Sequence, residues 1–335
     1  MSIRRIASLV FLFVAIAACM AQTPSAKTPS IIRLDPRFDQ LVPKDTKLEV
    51  VATDIIWAEG PVWDKKGKFL LFSDAPRNSA FKWSTKEGKT LFLKPSGYTG
   101  TAPFTGKEPG SNGLTFDSHH DLVMCQHGDR RISRLGKDGK SFITLVDRYD
   151  GKRLNSPNDL VYKSNGDLYF TDPPYGLPKT FDDPGRELPY AGVYRLSKDG
   201  KVTLLTSENK APNGIGFSPD EKTLYVSDSA QKVWMTYPVQ ADGTLGTGKV
   251  FYDASEMAKS TPGSPDGLKI DVHGNIWAAA PGGLFVFAPD GTLLGRFDLG
   301  EPTGNCAWGE DGSTIFIASN HNLYRVRVNT KGQGF

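Results

Sequence analysis

Short runs of alternating apolar and polar residues, separated by turns, recur along the chain after residue 50. In one example, an apolar run at 160–162 is followed by a turn at 164–167 and a second run at 168–171. Runs of this length joined by turns rich in Gly, Asn, Asp and Ser are typical of paired β-strands. No long helical periodicity competes with them, so the pattern predicts an all-β protein.

A polar residue stands before six of these apolar runs. The six positions are separated by 39 to 55 residues, and they are Glu59, Asn112, Asn158, Asn213, Asp266 and Asn305. A repeat of this size, built from short strands, is typical of one four-stranded propeller blade. The sequence therefore predicts a single six-bladed β-propeller over residues 46–335. The six polar side chains are expected to form a ring where the inner strands meet.

The two ends of the chain are predicted to close the propeller. Residues 48–52 form a strand-like run before the first repeat, and the last repeat has only three strand-like runs. An N-terminal strand that completes the last blade would remove an open sheet edge.

Two connections, residues 95–110 and residues 173–192, are longer than the others and rich in Pro or Gly. In an up-and-down blade, both would lie on the face where the six polar residues begin their strands. Each is therefore a candidate lid over the ring, with a plain surface loop as the alternative.

Residues 1–21 are predicted to be a signal peptide, because Arg4 and Arg5 precede an apolar stretch and small residues. The stretch ending in Cys19 also resembles a bacterial lipobox, in which the cysteine is lipidated; ordinary cleavage after Ala21 is the alternative. Residues 22–45 are predicted to be a linker. We expect an exported protein, periplasmic or lipid-anchored to the bacterial envelope, with that anchor as its only membrane contact.

Charge and cysteine content exclude several functions. The chain has 40 Lys and Arg against 37 Asp and Glu, and Arg4 and Arg5 lie in the predicted signal, which leaves 38 against 37. This balance does not indicate a nucleic-acid surface. Cys125 and Cys306 lie in apolar runs, where we expect buried thiols and neither a disulfide nor a zinc site. The sequence carries no sign of an oligomer, so a monomer is expected.

The ring offers the oxygen ligands that hard cations prefer, since Glu59 and Asp266 are carboxylates and the other four are amides. Ca²⁺ is the favoured ion, with Mg²⁺ and Mn²⁺ next; Zn²⁺ is possible but would prefer His or Cys. The alternative is that Asn-Gly and Asp-Gly before a strand are simply turn residues. Glu59 argues against this alternative, because Glu is not a favoured turn residue.

The motifs around Glu59, residues 154–160, residues 169–176, residues 212–220 and residues 265–267 resemble those of the gluconolactonase/regucalcin (senescence marker protein) family. The resemblance covers about residues 45–328 and is strongest to bacterial gluconolactonases. It implies a six-bladed propeller with a divalent metal, commonly calcium, in the central tunnel.

The resemblance also implies roles for individual residues. Asp266 is expected to be the general acid/base as well as a metal ligand. The full set of implied ligands is Glu59, Asn158, Asn213 and Asp266, with Asn158 a ligand or a substrate contact. Arg153 is the nearest counterpart of a substrate-contacting arginine of the family.

The expected reaction is metal-dependent hydrolysis of a sugar lactone such as gluconolactone. The cation would stabilise the oxyanion, while Asp266 takes a proton from water and returns it to the ring oxygen. The expected substrate contacts are Asn112, Asn158, His127, Arg153 and Tyr175. Two alternatives stay open: another lactone, ester or phosphotriester hydrolase using the same site, and a non-catalytic propeller in which the ion stabilises the tunnel.

His127, Asp172 and Tyr175 follow second strands and so lie on the ring face, where each is either a substrate contact or a surface-loop residue. Asp74 and Asp228 occupy similar places and are predicted to be structural.

Overall fold

The computed structural model describes residues 28–335, and its sheets form six antiparallel blades around a central tunnel, as predicted. In each blade, whose strands are named here from the innermost outward, the inner strand lies at the tunnel and contacts the inner strands of its neighbours. Blade 1 contains Ala58–Asp64, Phe69–Asp74, Ser79–Ser84 and Gly88–Leu93. Blade 2 contains Ser111–Phe116, Leu122–Gln126, Arg131–Leu135 and Phe142–Val146. Blade 3 contains Leu160–Tyr162, Leu168–Asp172, Gly192–Leu196 and Val202–Thr206.

The second half of the chain repeats this arrangement. Blade 4 contains Pro212–Phe217, Thr223–Asp228, Val233–Pro238 and Lys249–Asp253. Blade 5 contains Leu268–Ile270, Ile276–Ala280, Gly283–Phe287 and Leu293–Asp298. Blade 6 contains Thr303–Gly309, Thr314–Ser319 and Asn322–Arg327.

The remaining elements are short and lie in the connections. They are a hairpin of Arg148–Tyr149 and Lys152–Arg153, the α-helices Phe38–Leu41 and Ser255–Ala258, and the 3₁₀ turns Ala75–Arg77 and Thr180–Asp182. Over the described part of the chain, no helix has the length and apolar character needed to cross a bilayer.

The last blade receives its fourth strand from the start of the chain, as predicted. Glu49–Ala52 pairs antiparallel with Asn322–Arg327, with Glu49 opposite Arg325. The two side chains also form an ion pair, with Arg325 Nη2 at 2.7 Å from Glu49 Oε2. The propeller is therefore closed by pairing the two ends of the chain, which leaves this blade with four strands.

The predicted linker over residues 22–45 is wrong from Ser30 onward. Ser30–Arg33 pairs with Leu293–Asp298 and gives blade 5 a fifth strand. The helix Phe38–Leu41 then packs against the same blade, with Phe38 fully buried and its ring centroid 6.1 Å from that of Phe297. The segment is held because its apolar residues leave water on docking. Residues 1–27, with the predicted signal peptide and Cys19, lie outside the described residues.

The apolar core is divided among the interfaces between neighbouring blades. The largest cluster joins blades 5 and 6, where the rings of Trp277 and Trp308 meet edge to face at 5.1 Å. Cys306 belongs to this cluster and Cys125 to the one between blades 2 and 3. Both cysteines are free and fully buried, as predicted. These interfaces fix the blades around the tunnel and so fix the site at its end.

Candidate functional site

Five of the six predicted ring residues line one cavity of about 230 Å³ at the end of the tunnel. They come from the starts of blades 1 to 5 and are Glu59, Asn112, Asn158, Asn213 and Asp266. Sites for drug-sized ligands typically have volumes of about 300–1,000 Å³, so this cavity is smaller than such sites. Its size suits a small polar molecule.

The sixth ring position belongs to Thr303, so the prediction of Asn305 is wrong. Thr303 pairs with Ser319 in blade 6 in the same way that Glu59 pairs with Ser73 in blade 1, and Thr303 lines the cavity. Asn305 lies beyond a register shift in the strand. The register therefore decides the ring residue, and the sequence repeat alone placed it two residues too late.

Asn305 instead belongs to a polar layer with Asp159 and Lys269. Its amide nitrogen donates to Asp159 Oδ2 at 3.3 Å, and its oxygen accepts from Lys269 Nζ at 3.3 Å. These groups pair with one another outside the cavity lining.

The glycine that follows most ring residues is explained by close approach between blades. A Cβ atom at Gly60 would lie 1.9 Å from the carbonyl oxygen of Asn112, and one at Gly214 would lie 2.3 Å from that of Asp266. Both glycines lie within inner strands. The X-Gly motif therefore marks the packing of inner strands around the tunnel, and the alternative that these are merely turn residues does not hold.

Buried aspartates hold three of the ring residues in place. Asp74, Asp172 and Asp228 end the second strands of blades 1, 3 and 4, and each is fully buried. Each accepts hydrogen bonds from main-chain N–H groups two or three residues before the ring residue of its own blade. The structural role expected for Asp74 and Asp228 is confirmed, and Asp172 has the same role.

We expect Asp228→Ala to lower the free energy of unfolding by about 3 kcal/mol, because it removes a fully buried carboxylate and leaves four main-chain N–H groups without their acceptor. The Asp228 carboxylate accepts hydrogen bonds from the N–H groups of Lys210, Ala211, Ala230 and Gln231. Urea unfolding measures the change. The matched control is Glu208→Ala, which removes an exposed carboxylate from the same connection. Equal effects of the two substitutions would contradict the structural role.

The two carboxylates of the ring share a buried, acidic environment. Burial raises the pKa of Glu59 to about 8. Burial and the neighbouring Glu59 charge raise the pKa of Asp266 well above its ordinary value. Among the described residues that line the cavity, none is Lys, Arg or His. The described lining therefore supplies no cationic side chain to balance the pair.

Several oxygen atoms of the ring have no partner. The Oδ1 atoms of Asn112, Asn158 and Asp266 are buried and make no hydrogen bond. Asn213 Nδ2 donates to Ser229 Oγ at 3.1 Å, which leaves the Asn213 oxygen as the atom available to a ligand. Buried oxygen atoms without donors beside two carboxylates fit a hard divalent cation.

The residue types at the site also limit which side chains could coordinate such an ion. Over residues 28–335, no three His, Cys, Asp or Glu side chains form a group that could hold a metal. The donors that fit an ion here are therefore two carboxylates together with amide oxygens, which is a set suited to Ca²⁺ more than to Zn²⁺.

Each of the two long connections contributes one side chain to the cavity. Glu108 comes from residues 95–110 and Tyr175 from residues 173–192, so both connections reach the ring face on which they were expected. Glu108 was not predicted from the sequence, although its connection was. Trp57, Ser229 and Thr303 also line the cavity and were missed, since none of them carries the Asn, Asp or Glu that marks the repeat.

The predicted substrate contacts divide into two groups. Asn112, Asn158 and Tyr175 line the cavity. His127 is fully buried behind the lining, with Nδ1 at 3.3 Å from Glu108 Oε2. Arg153 is partly exposed on the short hairpin, where its guanidinium donates to the carbonyl of Asp129 at 3.0 Å. Neither His127 nor Arg153 is part of the cavity lining.

The fold and the site together place the chain in the class of six-bladed propellers with a ring of carboxylates and amides at one end of the tunnel. Residues 57–321 match the family model described as the SMP-30/Gluconolactonase/LRE-like region. The chain belongs to this family, which confirms the resemblance seen in the sequence.

Individual relatives agree with this assignment. The gluconolactonase of Zymomonas mobilis is 42% identical over 311 residues, covering 90% of this chain and 87% of the relative. The solved structure of a gluconolactonase of Xanthomonas campestris is 30% identical, with a TM-score of 0.78 over 90% of this chain and 96% of that chain. A solved regucalcin of Agrobacterium tumefaciens, described as a calcium-binding protein, shares the fold at 20% identity, with a TM-score of 0.67 over 87% of this chain and 96% of that chain.

Proposed function

We propose that this protein is a lactonase that opens sugar lactones of the gluconolactone type with the help of a divalent cation. The observation that carries the proposal is the ring itself, in which the Glu59 and Asp266 carboxylates lie beside amide oxygens without donors. The gluconolactonase relatives at 42% and 30% identity support the reaction class.

The residues that would hold the cation are Glu59, Asn158, Asn213 and Asp266. Ca²⁺ is our first choice, because the donors are all oxygen atoms and the cavity has two formal negative charges at the ring. When bound, the cation supplies electrophilic stabilisation to a carbonyl oxygen and keeps neighbouring carboxylates ionised.

The hydrogen bonds of the two carboxylates divide their roles. Glu59 Oε1 accepts from Trp57 Nε1 at 3.3 Å, and Oε2 accepts from the Gly60 N–H at 2.9 Å. Both oxygens of Glu59 are thus held in one orientation, as suits a ligand. Asp266 Oδ1 has no such partner. We assign to Asp266 the transfer of a proton from the attacking water to the ring oxygen of the lactone.

The amides and the cover complete the site. Asn112 and Asn158 can hydrogen-bond substrate or water through their free oxygens, and Tyr175 closes the cavity from the side of the second long connection. The small volume of the cavity limits the water that can compete with a bound lactone.

A pH-stat assay of purified protein on a panel of aldonolactones, with and without EDTA, tests the proposal. We expect acid release above the spontaneous rate, loss of this activity with EDTA, and recovery with Ca²⁺. Turnover of phosphotriesters or simple esters without turnover of lactones would assign the site to another hydrolase. A change in stability on metal addition without any turnover would support a non-catalytic binding propeller.

We also propose that the protein is exported and acts as a monomer, on the basis of residues 1–21 and of a sequence without oligomer signals. Mass spectrometry of the mature N-terminus distinguishes lipidated Cys19 from cleavage after Ala21. Light scattering of the mature protein measures its molecular mass.

A further inference from the structure

A third carboxylate, that of Glu108, lines the cavity without belonging to the ring. Its side chain is 27% exposed, whereas Glu59 is 2% exposed. Its negative charge helps to raise the pKa values of Glu59 and Asp266, and also that of Tyr175. The Glu108 carboxylate therefore faces the same cavity as the ring residues, although it belongs to the connection between blades 1 and 2.

The connection that carries Glu108 is fixed at its base by Asn78. The Asn78 side-chain oxygen accepts three main-chain hydrogen bonds, from Ser96 at 3.1 Å, Gly97 at 2.8 Å and Tyr98 at 3.1 Å. Its amide nitrogen donates to the carbonyl of Tyr98 at 2.8 Å. One partly buried turn of blade 1 thus holds the start of the connection.

The end of the connection is fixed by the segment that carries His127. The His127 N–H donates to the carbonyl of Gly110 at 3.1 Å, and the Gly128 N–H donates to that of Pro109 at 3.2 Å. Glu108 directly precedes these two acceptors. Its main chain is therefore held in place before any substrate binds.

His127 is placed to orient the Glu108 carboxylate. The imidazole is fully buried, and its Nδ1 lies 3.3 Å from Glu108 Oε2. Among the described residues, neither ring nitrogen makes a hydrogen bond of standard geometry. A Cβ atom at Gly176 would lie 2.6 Å from His127 Cβ, so the second long connection packs against the same residue. A buried polar ring next to the Glu108 carboxylate indicates a positioning role.

Charge balance argues against Glu108 as a further ligand of the metal. Glu59 and Asp266 already match the charge of one divalent cation, and a third ionised ligand would leave the site negative. An ionised carboxylate accepts hydrogen bonds without donating any, and such bonds to hydroxyl groups are strong. A polyhydroxylated lactone presents several hydroxyl donors around its ring, away from the reacting carbonyl.

We propose that Glu108 determines specificity for hydroxylated lactones by accepting hydrogen bonds from the sugar hydroxyl groups, and that His127 is the positioning residue for its carboxylate. This inference rests on the proposed lactonase function and names the part of the substrate that the cover recognises.

A cycle of enzyme variants and deoxy substrates tests the proposal. For Glu108→Gln, kcat/KM on D-glucono-1,5-lactone at saturating Ca²⁺ is expected to fall about 10- to 100-fold, the factor expected for loss of one hydrogen bond to a charged group. For the monodeoxy lactone that lacks the contacted hydroxyl, variant and wild type are expected to become equal. Lys107→Gln, on the exposed neighbouring residue, is the matched control and should leave kcat/KM unchanged.

The role of His127 is tested in the same cycle. His127→Asn, which keeps an N–H donor close to the place of Nδ1, is expected to retain most of the preference for the hydroxylated lactone. His127→Leu is expected to lose as much of it as Glu108→Gln. A merely structural role for His127 would lower activity on all lactones alike and would leave the preference intact. Glu108→Asp serves as the second variant if Glu108→Gln does not fold.

Calorimetry with the non-hydrolysable D-glucono-1,5-lactam separates this inference from the proposed function. The wild type could bind the lactam without hydrolysing the lactone. In that case, an affinity of Glu108→Gln for the lactam that is about 10- to 100-fold weaker still supports recognition by Glu108. Equal losses on every lactone, no loss on any of them, or loss of Ca²⁺ binding in Glu108→Gln overturns the inference. Failure of the wild type both to hydrolyse the lactone and to bind the lactam overturns both proposals.

Discussion

Replacing Asp266 by Asn is expected to reduce kcat on gluconolactone by about 10³-fold or more, because it removes both a general base and one charge at the ring. Asp266 Oδ1 is buried without a hydrogen-bond partner, and the side chain lines the cavity. Asparagine has nearly the same shape but cannot take up a proton from water. Initial rates at saturating lactone and Ca²⁺ measure the effect, and calorimetry with Ca²⁺ shows whether metal is still bound.

The matched control for this substitution is Asp159→Asn. Asp159 is also a buried carboxylate near the tunnel, but it pairs with Lys269 and Asn305 and does not line the cavity. We expect this variant to keep kcat within about tenfold of the wild type, as for a residue outside the chemistry. Full turnover by Asp266→Asn with metal bound would refute the assignment of Asp266 as general acid/base.

Removal of metal is expected to make the stability of the protein strongly dependent on pH. Burial raises the pKa of Glu59 from its ordinary 4.5 to about 8 in the folded protein, so the folded state holds this proton more tightly than the unfolded chain does. The stability that this proton contributes is complete below pH 4.5 and is lost as the pH rises to about 8. The raised pKa of Asp266 acts in the same direction.

Ca²⁺ is expected to reverse this loss, since the cation replaces the protons as the partner of the two carboxylates. Melting temperatures of EDTA-treated protein with and without Ca²⁺ should therefore diverge with rising pH, by about 10 °C at pH 8. Burial also raises the pKa of Asp172 to about 7, which gives a slope of the same sign that Ca²⁺ should not remove.

Glu59→Gln is the control for the pH experiment. Glutamine cannot ionise, so this variant should lose most of the pH-dependent difference between the metal-free and Ca²⁺-loaded protein. If melting of the wild type in EDTA were independent of pH and unaffected by Ca²⁺, a cation site at the ring would be contradicted.

The ring could be found from the sequence because each blade repeats one local problem. At the start of each inner strand, a polar residue faces the tunnel, and the next residue packs against the neighbouring blade. Where that residue is Gly60 or Gly214, no side chain would fit. The same spatial requirement acts once per repeat, so it leaves a periodic signal in the sequence. Five of the six positions follow it.

The sixth position shows the limit of this signal. Both Thr303 and Asn305 lie near the start of the inner strand of blade 6, and the more polar of the two is the one outside the ring. Only the pairing with Ser319 identifies Thr303. A shift of register is a property of two strands together, and the sequence of one strand does not contain it.

By itself, the sequence determined the six blades, the closure by residues 48–52, the family and the carboxylate pair of Glu59 and Asp266. Each of these depends on local strand patterns or on spacing that repeats. Only the tertiary structure decided that residues 30–42 dock on blade 5, that Thr303 completes the ring and that Glu108 covers it with His127 behind. These contacts join segments that are remote in the chain and occur once, so their physical cause is complementary packing, which leaves no periodic trace in the sequence.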